Sequence, residues 1–429
     1  MICNNIGIEN GHLTFAGRDV CSLAKEYGTP LYIMDEEKIR EKISIYREAL
    51  KEYFDDAQVL YASKACSFKK MYEILNAEGS GFDVVSSGEI FTALKAGISL
   101  ENVYFHSNNK TDADIEFAID NKMGYFVVDN VEEVDAIEKI AGEKGVKQKI
   151  LLRLTPGIDP HTYEAVNTGK VDSKFGTAIE TGQAKEIVGH TLKCENIELM
   201  GFHCHIGSQV FDSDTFLRGS EIMLDFIKEM KDVYGFEAKQ LDLGGGYGVP
   251  YTDADPSIDI RENIKTVSIF IKEKCNALGI NVPKILMEPG RSIVADAGMT
   301  LYTCGTVKKI TGYKNYVSID GGMTDNPRFA LYGSKYTVIN AGKAEEGKIF
   351  KASVVGRCCE SGDIIQEDVM LPETERGDII AVCTTGAYNY SMASNYNRIC
   401  RPAILILAKD KEYIAVKRES LEDIVRNDI

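Results

Sequence analysis

The chain has 429 residues, 44% of them hydrophobic, and a formal net charge of −16, which points to two domains with ample apolar cores. The acidic balance argues against a nucleic-acid surface, which needs basic stripes, although a few local arginines can still govern one anionic pocket. Eleven cysteines spread from Cys3 to Cys400 behind no signal-peptide pattern read as reduced thiols of a cytoplasmic protein, and no apolar run approaches a membrane span.

Residues 1 to about 30 are mixed, with a strand and turn expected over 13–17. A strand is expected over 30–34, and Asp35 is placed to cap a helix over 38–53. A regular rhythm follows. Short apolar runs at 58–62, 82–85, 103–105, 125–128, 150–154, 199–203, 241–243 and 285–287 alternate with helical spacing, and Thr111 with Asp114 reads as a capping box. A long polar loop follows the fifth run. Nearly continuous apolar strands alternating with helices indicate a parallel sheet covered on its faces, and eight units suit a closed TIM-type (β/α)8 barrel. An open doubly wound sheet is the alternative. It should carry a dinucleotide fingerprint after its first strand, and Tyr61-Ala62-Ser63-Lys64 is not one. Beyond about residue 298 the segments become short and β-like, at 302–307, 316–319, 336–339, 349–355, 379–383, 403–407 and 413–416. The expected organisation is an α/β barrel over 30–297 and a separate all-β domain over 298–429, joined by residues 1–29.

Chemistry in such barrels collects at the C-terminal strand ends. The first strand ends at Lys64, either a solvated surface charge or a Schiff-base lysine. The sixth leads into His203-Cys204-His205-Ile206-Gly207-Ser208-Gln209. Two histidines are too few for a zinc site, whereas a flat imidazole can stack on an aromatic cofactor. The seventh leads into Gly244-Gly245-Gly246-Tyr247-Gly248, a tight turn or a phosphate cradle of bare backbone N–H groups. The eighth ends in Glu288-Pro289-Gly290-Arg291. Glu288 either pairs with a cation such as Arg291 or holds a pyridine nitrogen protonated. Lysine, glycine cradle and acid together are the needs of pyridoxal 5′-phosphate.

Ordered along the chain, these motifs resemble the fold-type III pyridoxal-phosphate decarboxylases. The resemblance also rests on Gly81-Phe-Asp-Val-Val-Ser-Ser-Gly88-Glu89, Ser173-Lys-Phe-Gly176, Asp320-Gly-Gly-Met-Thr-Asp325, Arg328 with Tyr332, Cys359-Glu360-Ser-Gly-Asp363, Gly386-Ala-Tyr388 and Ser394-Asn-Tyr-Asn397. It implies an alanine-racemase-like barrel and a decarboxylase acting on meso-2,6-diaminopimelate to give L-lysine. It implies that Lys64 carries the cofactor, that His205 stacks on its ring, and that Glu288 binds its nitrogen. Ser208, Gly246, Pro289, Gly290 and Arg291 hold the cofactor, with Tyr388 beside the phosphate. Arg291, Arg328, Tyr332 and Tyr388 meet the substrate, Glu360 takes its far ammonium, and Cys359 donates the proton. In the family Cys359 and Glu360 serve the other subunit's site, so a homodimer is implied.

Three positions depart from the family pattern: Cys66 in the lysine motif, Arg357 with the extra Cys358 before the cysteine motif, and Phe329 after Arg328. A decarboxylase of another diamino acid, such as ornithine or arginine, is the rival on the same scaffold. Arg328 and the Cys359-Glu360 pair argue against it. A non-catalytic carrier of the cofactor would be expected to have lost Lys64 or the cysteine. A racemase would need a second opposed base. A metal-dependent barrel hydrolase would need a third ligand beyond the two histidines.

Overall fold

In the computed structural model, which describes residues 2–158 and 173–429, the eight expected runs pair side by side and in parallel. They are Ala57–Ala62, Gly81–Val84, Val103–Phe105, Tyr125–Val128, Gln148–Thr155, Ile197–His203, Gln240–Asp242 and Lys284–Met287. The last returns to the first, with Ile285 opposite Ala57 and Met287 opposite Val59, so the sheet closes into a barrel. A two-residue strand, Thr177–Ala178, extends the fifth at its C-terminal end. The long polar loop expected after the fifth strand lies largely outside the described residues.

The closure explains the composition of the strands. Each is covered by helices outside and by other strands' side chains inside, so polar alternation is lost. Leu60, Tyr104, Val127, Leu151, Met200 and Leu286 form one buried cluster, each from a different barrel strand. Tyr104 and Tyr125 stack at 4.3 Å, and Tyr104 donates its hydroxyl to Gln240 at 3.2 Å. The helices start where the sequence provides caps. Ser86, Asn130, Asp212 and Asp259 each accept an N–H of the first turn, and Thr111 with Asp114 closes the expected capping box.

The chain divides into two compact units. The barrel unit comprises Lys42–Gly248 and Ser257–Gly290, and the other comprises Met1–Glu41, Val249–Pro256 and Arg291–Ile429. The second unit is built on a mixed sheet whose longest strand is Gly298–Ile310. That strand pairs antiparallel with Leu31–Asp35, Lys314–Ile319 and Ile379–Cys383. Leu31–Asp35, grouped by sequence position with the barrel, thus lies in the second sheet, where it also pairs in parallel with Ala403–Leu407. Its five residues are all buried, and such a run has no periodicity that names its sheet. The N-terminal strands Ile6–Glu9 and His12–Phe15 pack on the same core, with Leu13 and Phe15 among Leu31, Ile33, Leu301 and Leu405. Strand Ile364–Leu371 and the short helices Val20–Tyr27, Arg328–Tyr332 and Leu421–Val425 had no clear sequence signal. The unit is therefore β-rich rather than purely β. No described helix is long and apolar enough to cross a membrane.

Candidate active site

In the barrel unit the first strand passes into a 3-10 turn, Ser63–Ala65, that presents Lys64 as an exposed side chain. The turn is anchored from behind. Buried Ser63 donates its hydroxyl to Glu89 Oε2 at 2.8 Å, and the Val85 N–H donates to the same oxygen at 2.8 Å. Glu89 thereby ties the ends of the first two strands together. The Ala62 N–H donates to the Pro289 carbonyl at 3.2 Å, tying the first strand to the loop after the eighth. Cys66, where the sequence departs from the family, is buried, and burial pushes its thiol up to about 12, so it stays protonated.

Glu288 lies at the centre of a buried polar cluster. His106 Nε2 is 2.7 Å from Glu288 Oε1, and His203 Nε2 is 3.1 Å from Oε2. The two imidazoles meet edge to face at 4.8 Å. Asp242, fully buried, accepts the Gly244 N–H at 2.8 Å. One nitrogen or oxygen from each of His106, His203, Asp242 and Glu288 lies within 4.8 Å of the others; His203 is hydrogen-bonded to Glu288, and His106 pairs with it by charge. Burial works to raise the Glu288 carboxyl, but His106 and His203 outweigh it and hold it well below its usual range. Burial and the charge of Glu288 push Asp242 well above its own. Burial drives His203 down to about 3. Glu288 is therefore favoured as the ionised carboxylate, beside a neutral acid at Asp242 and a neutral imidazole at His203.

The glycine run packs against this cluster. A Cβ on Gly245 would lie 2.2 Å from the Glu288 carbonyl oxygen. Gly246 adopts φ +113°, and a Cβ there would lie 2.5 Å from the Gly207 carbonyl, so backbone alone fills the approach. His205 Nδ1 accepts the Gly245 N–H at 3.3 Å. Burial first and then the Lys64 ammonium hold His205 well below its usual range, leaving it a neutral ring. Ser208 sits half-buried in the same loop. An ionised buried carboxylate, a neutral imidazole, a side-chain-free glycine turn and a lysine fit a phosphorylated pyridine aldehyde.

The second unit carries a different constellation. Arg291 opens a short helix, Arg291–Val294, and its Nη1 donates to the Tyr251 hydroxyl at 2.8 Å. Arg328 opens helix Arg328–Tyr332, with Nη1 donating to the same hydroxyl at 3.3 Å and Nη2 to Ser334 Oγ at 3.2 Å. Both guanidinium groups are buried, and they lie 4.8 and 5.6 Å from the Tyr388 ring centre. Arg328 Nε is buried without a hydrogen-bond partner among the described residues, and no carboxylate there pairs with this side chain. Tyr332 is half-exposed at the end of the same helix.

Cys359 and Glu360 lie on an exposed turn of this unit. Asn397 Oδ1 accepts the Cys359 N–H at 2.8 Å, and Asp363 Oδ2 accepts the Cys358 N–H at 2.7 Å. Arg357 is held by backbone, its N–H donating to the Gly321 carbonyl at 3.0 Å. Burial and Asp363 push the Cys358 thiol up to about 12, marking it as the inert member of the pair. None of the bonds of Cys359 or Glu360 goes to the arginine pair.

Sequence reasoning passed over Tyr251, His106 and Asp242. His106 directly follows the third strand, and Asp242 ends the seventh, so inspection of every strand end would have found both. Tyr251 lies in an irregular stretch and has no such signal.

Residues 36–295 match the pyridoxal-binding domain of the pyridoxal-dependent decarboxylase family. The chain is 43% identical over 421 residues to a diaminopimelate decarboxylase of Bacillus subtilis, covering 98% of this chain and 96% of that one. It is 41% identical to the diaminopimelate decarboxylase of Staphylococcus aureus, covering 98% of each. The solved diaminopimelate decarboxylase of M. jannaschii in complex with L-lysine superposes with a TM-score of 0.93 at 33% identity, covering 99% of this chain and 98% of that one. A lysine/ornithine decarboxylase of Vibrio vulnificus superposes with a TM-score of 0.75 at 25% identity, covering 91% and 97%.

Proposed function

The chain belongs to the diaminopimelate decarboxylase family of pyridoxal-dependent decarboxylases, and we propose that it converts meso-2,6-diaminopimelate to L-lysine and CO2, the last step of lysine biosynthesis. The observation that carries this reading is Arg328, a buried guanidinium that among the described residues bonds only hydroxyl groups and leaves Nε unspent. A buried cation without an anion is costly. A carboxylate at the far end of the substrate supplies that anion in two parallel hydrogen bonds. An ornithine-type substrate has no carboxylate there.

Pyridoxal 5′-phosphate, when bound, supplies an electron sink at the carbon that loses CO2. Lys64 would hold it covalently, with His205 against its ring. Ser208, Gly246 and the Pro289-Gly290-Arg291 backbone would hold the phosphate, with Tyr388 nearby. Glu288, kept ionised by His106 and His203, would hold a proton on the cofactor's ring nitrogen. Arg291, Arg328 and Tyr332 grip the far carboxylate, and Glu360 of the partner subunit takes the far ammonium. That grip orients the breaking Cα–carboxylate bond. Cys359 of the partner subunit holds at Sγ the proton that passes to the α-carbon. In this reading the barrel unit supplies Lys64, His205, Ser208, Gly246 and Glu288, and the second unit supplies Arg291, Arg328, Tyr332, Tyr388, Cys359 and Glu360. The enzyme is a homodimer, and eleven cysteines with no disulfide among the described residues suit a cytoplasmic location.

The test is CO2 release by the cofactor-loaded protein offered meso-diaminopimelate, ornithine, arginine and lysine separately. Release from meso-diaminopimelate alone, with L-lysine formed, is the expected result. Preference for another diamino acid would overturn the assignment of Arg328 and leave the barrel groups standing. Release from none would point to a non-catalytic carrier.

A further inference from the structure

We infer that Tyr251 is a positioning residue for substrate selection, its hydroxyl holding the Arg291 and Arg328 guanidinium groups in the orientation that receives the far carboxylate of an amino dicarboxylate. This rests on the far-carboxylate role given to Arg328 above. The stretch Val249–Pro256 belongs to the unit of the second sheet, and Tyr251 is fixed there from several sides. Its N–H donates to Asp255 Oδ2 at 2.8 Å, and its carbonyl accepts Thr337 Oγ1 at 2.9 Å. Its ring meets Tyr336 edge-on at 5.4 Å. Only 6% of the residue is exposed, so the hydroxyl has one position.

That position is shared by two cations, with Arg291 Nη1 at 2.8 Å and Arg328 Nη1 at 3.3 Å. A phenol oxygen has two lone pairs, enough for both donors. Both guanidinium carbons also lie over the Tyr251 ring, at 5.9 and 5.4 Å. Arg328 has no acid partner among the described residues, so a hydroxyl stands where a carboxylate usually would. The charged and titratable groups facing this hydroxyl are Arg291, Arg328 and Tyr336, with Asp255 on the backbone side. Burial works to raise the Tyr251 hydroxyl, and the two arginines outweigh it and bring it below its ordinary value. Without the hydroxyl, two like charges lose their common acceptor, and the forks lose their fixed direction.

The test compares Tyr251→Phe, Arg328→Ala and the double variant with the wild-type holoenzyme. Tyr251→Phe keeps the ring and its packing. The expected result is a rise in KM for meso-diaminopimelate of about tenfold, the equivalent of about 1.4 kcal/mol, with kcat changed less than about twofold. In the Arg328→Ala background the same change should add clearly less than it does alone, because one of the two guanidinium groups it positions is gone. A KM unmoved by Tyr251→Phe while Arg328→Ala raises it would overturn this inference alone. So would effects that multiply independently. A KM unmoved by Arg328→Ala would overturn the far-carboxylate reading, and this inference with it. Alkaline titration of tyrosinate absorbance gives a readout on the wild-type holoenzyme even if Tyr251→Phe fails to fold. One tyrosine should titrate early, and pimelate, a dicarboxylate that brings an anion to the arginines, should move it later. A titration unchanged by pimelate at a concentration that inhibits turnover would overturn the inference.

Discussion

Arg328 and Glu288 are buried charges of opposite sign, each made tolerable by different neighbours. Glu288 has two histidines at 2.7 and 3.1 Å. Among the described residues Arg328 has only hydroxyls. Removing Arg328 by Arg328→Ala is expected to lower kcat/KM for meso-diaminopimelate roughly a hundredfold, about 3 kcal/mol, as for one partner of a buried charge pair. Steady-state kinetics on the loaded enzyme check it, and an unchanged kcat/KM would remove Arg328 from the site. Glu288→Gln keeps the shape and removes the charge, and is expected to lower kcat by about 10²-fold or more. The absorbance of the bound cofactor should shift with it, since the proton on the facing ring nitrogen loses its counter-ion. Lys64→Ala is expected to abolish both turnover and the absorbance of the covalently held cofactor. Retention of both would place the attachment elsewhere.

At the scale of loops and turns, the site depends on backbone that leaves no room for side chains. Gly246→Ala would drive a methyl to 2.5 Å from the Gly207 carbonyl oxygen at φ +113°. The expected outcome is cofactor affinity weakened at least about tenfold, with the barrel still folded, measured by cofactor titration and circular dichroism. In the second unit the loop before Arg328 is held by Asp325, which is 1% exposed. Its Oδ1 accepts the Gly322 N–H at 2.9 Å and its Oδ2 accepts the Tyr302 hydroxyl at 2.5 Å. Burial pushes this carboxyl up to about 7. An acid with a raised folded-state pKa contributes its stability below the unfolded value, near 4, and loses it as pH rises toward 7. Asparagine keeps the shape, can accept the Gly322 N–H at Oδ1 and turn an amide donor to the Tyr302 oxygen, and carries no proton to lose. The stability of Asp325→Asn relative to wild type, followed through Tm, should therefore climb between about pH 4 and 7, by on the order of a few kcal/mol of unfolding free energy, and level off above. A difference in Tm that is flat across that window would show that Asp325 ionises freely in the folded chain.

Across the whole molecule, the proposed function calls on residues distant in sequence and assigns Cys359 and Glu360 to the other subunit of a dimer. Cys359 sits on an exposed turn, as a group reaching outward would. If sites are shared, Lys64→Ala and Cys359→Ala homodimers are each inactive, and subunit exchange between them restores activity. Random exchange makes half the dimers mixed, each with one intact site, so about a quarter of wild-type activity is expected. A mixture as inactive as its parents, with exchange confirmed by mass spectrometry, would confine each site to a single chain.

The barrel was legible because a parallel strand buried on both faces leaves an unbroken apolar run, and eight such runs alternate with helical spacing. Lys64, the glycine run and Glu288 were legible for a related reason: unusual residue types stood directly at strand ends, where such barrels collect chemistry. The capping box of Thr111 with Asp114 was legible too, since a cap acts within three residues. What the sequence left open involves partners far apart along the chain. Leu31–Asp35 is as apolar as a barrel strand, and only its neighbours Gly298–Ile310 and Ala403–Leu407 assign it to the second sheet. Glu288 acquires its ionised state from His106 and His203, 182 and 85 positions away. Tyr251 gains its meaning from arginines 40 and 77 residues further on. Charge state and bond direction depend on burial and on which groups meet, and tertiary structure alone decides those.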